Sequence, residues 1–173
     1  MIPIVNASFE APSVDNAPNK FSYLSSLDAG QRAALGWVGE GVVDVGAAVI
    51  HNGSAWLYAP APEGEQCLSL QGVAKISQTI VFPKQGIYRL TWMAASRQGE
   101  DSLAEVQLDG GKMQSWMTKD PVWRSFSARL DVKSAGPHIL SFATKSGSKL
   151  RPNSKTVGDT SVAIDQIGLA GPE

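Results

Sequence analysis

From Gln66 onward the chain repeats one pattern, a short apolar or alternating run followed by a turn signal. "QCLSL" precedes Gln71-Gly72, "KISQTIVF" precedes Pro83-Lys84-Gln85-Gly86, "IYRLTWMAAS" precedes Gly99, and "LAEVQL" precedes Asp109-Gly110-Gly111. "KMQSWMT", "WRSFSARLDV" before Ser134-Ala135-Gly136-Pro137, "HILSFATK" and the closing "TSVAIDQIGL" continue the series. Runs this short, rich in β-branched and aromatic residues and cut by Gly and Pro, point to an all-β sandwich or barrel. The period inside them is two. In "KISQTIVF", Ile76, Gln78, Ile80 and Phe82 share one face while Ser77 and Thr79 take the other; in "IYRLTW", Tyr88, Leu90 and Trp92 oppose Arg89 and Thr91. One buried face and one partly polar face is what two antiparallel sheets packed face to face require. The expected fold is an antiparallel β-sandwich of the jelly-roll type.

The N-terminal third is less regular. "SSLDAGQRAALGW" holds one short helix, with Ser26 or Asp28 as N-cap and Gly36 just past its end. The rest, up to about Ala55, reads as loops and short strands, and Lys145 to Asp159 as a polar loop. The 173 residues show no compositional break, so one domain over 1–173 is expected. Formal net charge is -1 with Lys and Arg scattered singly, which leaves no basic stripe for nucleic acid and no polybasic membrane patch. No apolar run approaches the roughly 20 residues that span a bilayer. The start "MIPIVNASFE" lacks a secretory signal pattern, so the chain is read either as intracellular or as a mature or excised piece of a longer secreted protein. The single cysteine, Cys67, permits no internal disulfide and reads as a small packed hydrophobe. Sequons at Asn6 and Asn52 matter only in a eukaryotic secretory route.

Residues that carry chemistry are few. The two histidines, His51 and His138, form no H-x-x-x-H pair; G-x-S-x-G and a Gly-rich phosphate loop before a helix are both absent. Asp165 is the exception, a carboxylate in the middle of the apolar run "SVAIDQIGL". A buried ionised carboxylate needs a charge partner, hydrogen bonds or a metal. Five tryptophans and three tyrosines remain. By position Trp92 and Trp123 belong to the core, Trp116 packs between Met113 and Met117, and Trp37 anchors the helix. Trp56 and Tyr58 lie two apart in the Gly- and Pro-bounded "HNGSAWLYAPAPEGE", so an extended backbone projects both rings from one face. Such a pair either forms a platform for the C–H face of a sugar or covers the end of the core.

"VNASFEAP", "PEGEQCLSLQGVAKISQTI", "GIYRLTWMAASR", "VQLDG", "AGPHILSF" and "GDTSVAIDQIGL" together resemble, in this order, bacterial modules of the galactose-binding-like jelly-roll superfamily. Many of its members are carbohydrate-binding modules appended to glycoside hydrolases and polysaccharide lyases. The resemblance implies that Phe9-Glu10, ending the first strand, meets Asp165 of the last strand at one end of the sandwich. Glu10 and Asp165 then serve as side-chain ligands of a structural Ca²⁺, completed by backbone carbonyls. It also places Arg97 of "AASR" where an acidic sugar is read, unless Arg97 pairs with Glu100 or Asp101. Gln78 and Asp159 are further candidates for the same polar lining.

The function so implied is a non-catalytic carbohydrate-binding module, an ancillary domain of an extracellular or cell-surface protein. Its partners are an oligo- or polysaccharide and an adjoining catalytic domain. The alternative is a structural or protein-interaction domain of the same fold. A stand-alone glycoside hydrolase or lyase would need two carboxyls facing each other across an open cleft, which the text does not demand.

Overall fold

Strand assignment follows the alternation. The computed structural model describes residues 1–41, 46–56, 58–97, 100–119, 121–144, 149–150 and 160–173. In chain order these hold β1 (Phe21–Tyr23), α1 (Ala29–Leu35), β2 (Val38–Gly41), β3 (Ala47–His51), β4 (Gln66–Gln71), β5 (Ala74–Phe82), β6 (Gly86–Ser96) and β7 (Glu100–Leu108). They continue with β8 (Gly111–Lys119), β9 (Arg124–Val132), β10 (Gly136–Thr144), β11 (Lys149–Leu150) and β12 (Ser161–Ala170). The first sheet runs β1-β3-β4-β12-β6-β9; the second runs β11-β7-β10-β5-β2, with β8 paired to β7 as well. Every pairing is antiparallel. This is the jelly-roll sandwich expected from the sequence, with the helix near its start.

The helix begins where the sequence places it. Asp28 accepts the Gln31 backbone N–H at 2.8 Å while the Gln31 side chain accepts the Asp28 N–H at 2.9 Å, a reciprocal cap that satisfies two otherwise orphaned donors. Gly36 ends it in the left-handed region at φ 71, where a Cβ would also strike Val5.

Between the sheets, Leu68, Leu70, Leu90, Trp92 and Ile164 of the first meet Ile76, Ile80, Phe82, Val106, Leu140 and Phe142 of the second, all essentially buried. Trp116 joins this core from β8, and Trp37 packs between Phe9 and Phe142. Trp123 does not. It lies half-buried on the far side of the first sheet, because it sits just ahead of β9 and its indole N–H donates to the Ala59 carbonyl at 3.2 Å. The assignment of Trp123 to the core is corrected accordingly.

Strand β12 resolves the oddity of Asp165. Val162 and Ile164 point into the core, so Ala163 and Asp165 point out; strict alternation would then bury Gln166 and Gly168 and expose Ile167 and Leu169. A bulge between Asp165 and Gly168, with Gln166 at φ 51, inserts one residue and returns Ile167 and Leu169 to the core. Alongside the bulge run the first residues of the chain: Ile2 N–H donates to Leu169 and Ile167 N–H to Ala7. The N-terminal segment and the last strand do meet, although residues 1–10 are not themselves a strand.

Candidate functional site

The outer face of the first sheet, turned away from the core, is read from its register. Phe21 and Tyr23 of β1 lie opposite Ile50 and Ala48 of β3; Cys67, Ser69 and Gln71 follow on β4, Ala163 and Asp165 on β12, and Thr91, Met93 and Ala95 on β6. Half of this face is covered by the segment between β3 and β4, which lays Trp56, Tyr58 and Ala61 over Ala48, Ile50, Cys67 and Ala163. Small residues beneath and rings above make a second, separate apolar cluster.

Trp56 is its centre. Tyr58 stacks on it with centroids 6.5 Å apart at 19°, and Phe21 and Tyr23 meet it edge-on at 5.5 and 6.0 Å. The Arg97 guanidinium carbon lies 5.8 Å from the Trp56 ring centroid, within cation–π range. Two hydroxyls are oriented at the rim of the cluster. Tyr58 Oη and Ser69 Oγ are 2.9 Å apart, and Tyr23 Oη donates to Gln71 Oε1 at 2.8 Å. The structure thus brings Trp56, Tyr58 and Arg97 together. Trp56 is only 7 % exposed, so it serves as the fixed plate; Tyr58, Tyr23 and Arg97 stand half-buried around it. Tyr23 and Phe21 were missed in the sequence, although "FSY" carries the same two-residue spacing as "WLY".

A pair of carboxylates holds the end of the covering segment. Asp165 Oδ2 accepts the Glu63 N–H at 3.1 Å and Oδ1 the Gln166 N–H at 2.7 Å. Glu10 accepts the N–H groups of Glu65 and Gln66, at 3.1 and 2.8 Å. At Gly64, φ 66, an added Cβ would overlap the Glu10 carboxylate, which explains a glycine at this turn. The two acids expected to meet do converge, on backbone donors of one turn. Both oxygens of Asp165 and the Glu10 carboxylate accept from backbone N–H groups, which satisfies these carboxylates without a cation. Among the described residues no group of three or more His, Cys, Asp or Glu is placed to hold a metal. Burial pushes the Asp165 carboxyl up to about 7, against the opposing pull of the Glu63 and Gln166 N–H bonds and with help from the Glu63 and Glu10 charges. The Cys67 thiol beside it is raised strongly by burial and then by Asp165 and Glu10, so it stays protonated and inert.

The other expected lining residues lie elsewhere. Gln78 is on β5 in the second sheet, 7 % exposed, with its amide wholly engaged by backbone: it accepts from Val5 N–H and donates to Val5 and Gly36 carbonyls at 2.9–3.0 Å. It staples the N-terminal segment and cannot reach a ligand on the first sheet, a correction that follows from its inward register. Asp159 lies outside the described residues, as does most of the Lys145 to Asp159 loop.

An acid–imidazole–hydroxyl string does occur, at the opposite sheet. His138 Nδ1 lies 2.6 Å from Asp109 Oδ2, and its Nε2 is 3.4 Å from Ser134 Oγ but 2.9 Å from the Ser134 carbonyl. An imidazole held by two acceptors is a double donor, and both bonds raise its pKa, that to Asp109 most. That is the opposite of a general base poised to deprotonate a serine.

A family model described as protein of unknown function (DUF642) matches residues 3–134, more than half of the chain, which therefore belongs to that family. No curated relative matches. Among solved structures, a module named TmCBM61, in complex with β-1,4-galactotriose, is 15 % identical with TM-score 0.60, covering 98 % of each chain. The CBM22-1 xylan-binding domain of Paenibacillus barcinonensis Xyn10C is 13 % identical with TM-score 0.56, over 80 % of this chain and 87 % of that one. The CBM36-1 domain of a multidomain xylanase from the hindgut metagenome of Trinervitermes trinervoides gives 10 % and 0.50, over 79 % and 98 %. The chain thus has the galactose-binding-like jelly-roll fold of carbohydrate-binding modules. No helix among its described residues is long and apolar enough to cross a membrane.

Proposed function

We propose that this member of the DUF642 family is a non-catalytic carbohydrate-binding module, one domain over 1–173 and ancillary to a larger extracellular or cell-surface polysaccharide-active protein. The observation that carries the reading is the stack of Tyr58 on Trp56 with Arg97 against the same ring, on the outer face of a rigid sheet. A sugar offers an apolar C–H face and a rim of hydroxyls; Tyr58 supplies ring area, Arg97 and Tyr23 supply directional polar groups, and the buried Ser69 only orients the Tyr58 hydroxyl. Trp56 fixes the geometry from beneath. Glu10 and Asp165 act through the 63–66 turn, which sets where the covering segment lies, and the reading includes no calcium ion.

A glycan-array screen of the wild type, Tyr58→Ala and Arg97→Gln tests it. Binding to a defined glycan that is lost in Tyr58→Ala, with the melting temperature retained, supports the reading. The burial of Trp56 favours a second one, in which the aromatic cluster only completes the fold of a structural or protein-interaction domain. Folded protein that stays silent across a broad array would establish that alternative.

A further inference from the structure

The half of the first sheet's outer face that the covering segment leaves open has its own composition. On β6 and β9 the register sets Thr91 opposite Ser127, Met93 opposite Ser125, and Arg89 opposite Arg129. Ser125, Ser127, Arg89 and Arg129 are exposed, Thr91 and Met93 half-buried. On the other side of β6, β12 sets Gly168 and Ala170 opposite Thr91 and Arg89, with the exposed bulge residue Gln166 just before them; a Cβ at Gly168 would overlap the Thr91 hydroxyl. The result is a shallow, hydroxyl-lined track, walled at one end by Trp123 and Tyr58. Arg97 stands at that end and the two other arginines stand at the far one. Arg89 and Arg97 are eight residues apart on one strand line, about 27 Å at the usual strand rise.

Two arginines directly opposite on one face are a like-charge cross-strand pair, which opposes sheet pairing. Little on the protein relieves it. Arg129 has Glu173 at 3.9 Å, with both side chains more than half exposed, and Arg89 has no carboxylate in ion-pair reach among the described residues. The nearby Asp131 is taken by Lys133, and Asp165 is buried under the 63–66 turn.

We propose that this track takes an anionic glycan chain, with Arg89 and Arg129 pairing its carboxylate or sulfate groups. The inference rests on the sugar-binding reading of Tyr58 and Arg97 and names the ligand class for that site. A track lined by exposed hydroxyls and open at the Arg89 and Arg129 end accepts a polymer chain, and planar guanidinium forks match both kinds of anion.

Titration calorimetry of alginate, dextran sulfate, neutral dextran and β-1,4-galactan, at low and high salt, tests it with three variants: Arg89→Gln/Arg129→Gln, Tyr58→Ala and Lys112→Gln on the second sheet. A polyanion is expected to bind, salt-sensitively, and the double variant to weaken it roughly tenfold. Lys112→Gln should change nothing, and binding is compared at a temperature where the melting curve of every variant shows it folded. Preference for alginate identifies carboxylate as the anion, and preference for dextran sulfate identifies sulfate. Equal polyanion binding by the double variant and wild type overturns the proposal. Galactan binding that needs Tyr58, with no polyanion bound, overturns it while leaving the sugar-binding reading standing; no binding to any probe removes both.

Discussion

Replacing Asp165 by Asn should reverse the protein's response to pH between about 4 and 7. The folded-state carboxyl titrates near 7, chiefly because it is buried, against an unfolded value of 3.8. A carboxyl whose pKa is raised on folding binds its proton more tightly in the native state. Its contribution to stability is therefore complete below the unfolded pKa and is lost as pH rises through the folded one. The window is about three pH units wide, and one proton is worth about 1.4 kcal/mol per unit, giving an upper bound of about 4 kcal/mol. Residual solvation at the turn lowers this to about 2–4 kcal/mol, or roughly 5–15 °C in melting temperature for a chain of this size. Other carboxylates titrate in the same range, so the informative quantity is wild type minus Asp165→Asn, from urea unfolding at half-unit pH steps from 4 to 8. Asn presents one acceptor where the structure has two N–H donors, so the variant is destabilised at acid pH. The gap should narrow as pH rises and the wild type alone loses stability. A constant gap would refute the burial argument. A gap that widens with pH would mean that the ionised carboxylate is the stabilising form, as a bound cation would require.

The same reasoning predicts no shift in melting temperature on adding EDTA, and a fall would restore the calcium site. Gln78→Ala removes three part-buried hydrogen bonds and strands the Val5 N–H and the Gly36 carbonyl, so a loss of about 1–3 kcal/mol by urea unfolding is expected with glycan binding unchanged. A loss below about 0.5 kcal/mol would show the staple to be dispensable. For His138, whose pKa is raised chiefly by Asp109, the stabilisation is present below the ordinary histidine value and fades as pH rises through the raised one. Asp109, lowered chiefly by the same bond, keeps its contribution above the ordinary aspartate value and loses it as pH falls through the lowered one. NMR titration should show His138 above its free value in the wild type and lower in Asp109→Asn, where the Ser134 carbonyl bond remains; identical titrations would exclude the link.

What the sequence made legible was whatever depends on local period and local capping. The alternation in β5 and β6 assigned their buried faces correctly, and the Asp28 and Gly36 signals bounded the helix. Position relative to the sheets was less legible. Trp123 has the same apolar character as Trp92, but it sits ahead of β9 instead of within a strand, and only the tertiary path puts it on the outer face. The strand period placed Gln78 on the buried face with Ile76, Ile80 and Phe82, and the resemblance made this polar residue a lining candidate; it instead serves backbone groups of residues 5 and 36. For Glu10 and Asp165 the meeting was foreseeable and its chemistry was not. Their partners are N–H groups, which every residue of the 63–66 turn except a proline carries and which composition therefore does not reveal. The bulge at Gln166 was hidden for a similar reason, since a single left-handed residue shifts the pattern without altering composition.

The strand order has a consequence for how the chain is made. Strand β12 follows all the other strands of the sandwich in sequence, yet it lies in the interior of the first sheet, hydrogen-bonded to β4 on one side and β6 on the other. Until it arrives, β1, β3 and β4 form one ribbon and β6 and β9 another, with nothing between them. The first sheet can therefore close only once β12 has been made, and β12 lies beyond residues 3–134, the stretch the family model matches. Closure by β12 couples segments far apart in sequence in one long-range event, the kind of topology that folds slowly and exposes unpaired edges while it waits.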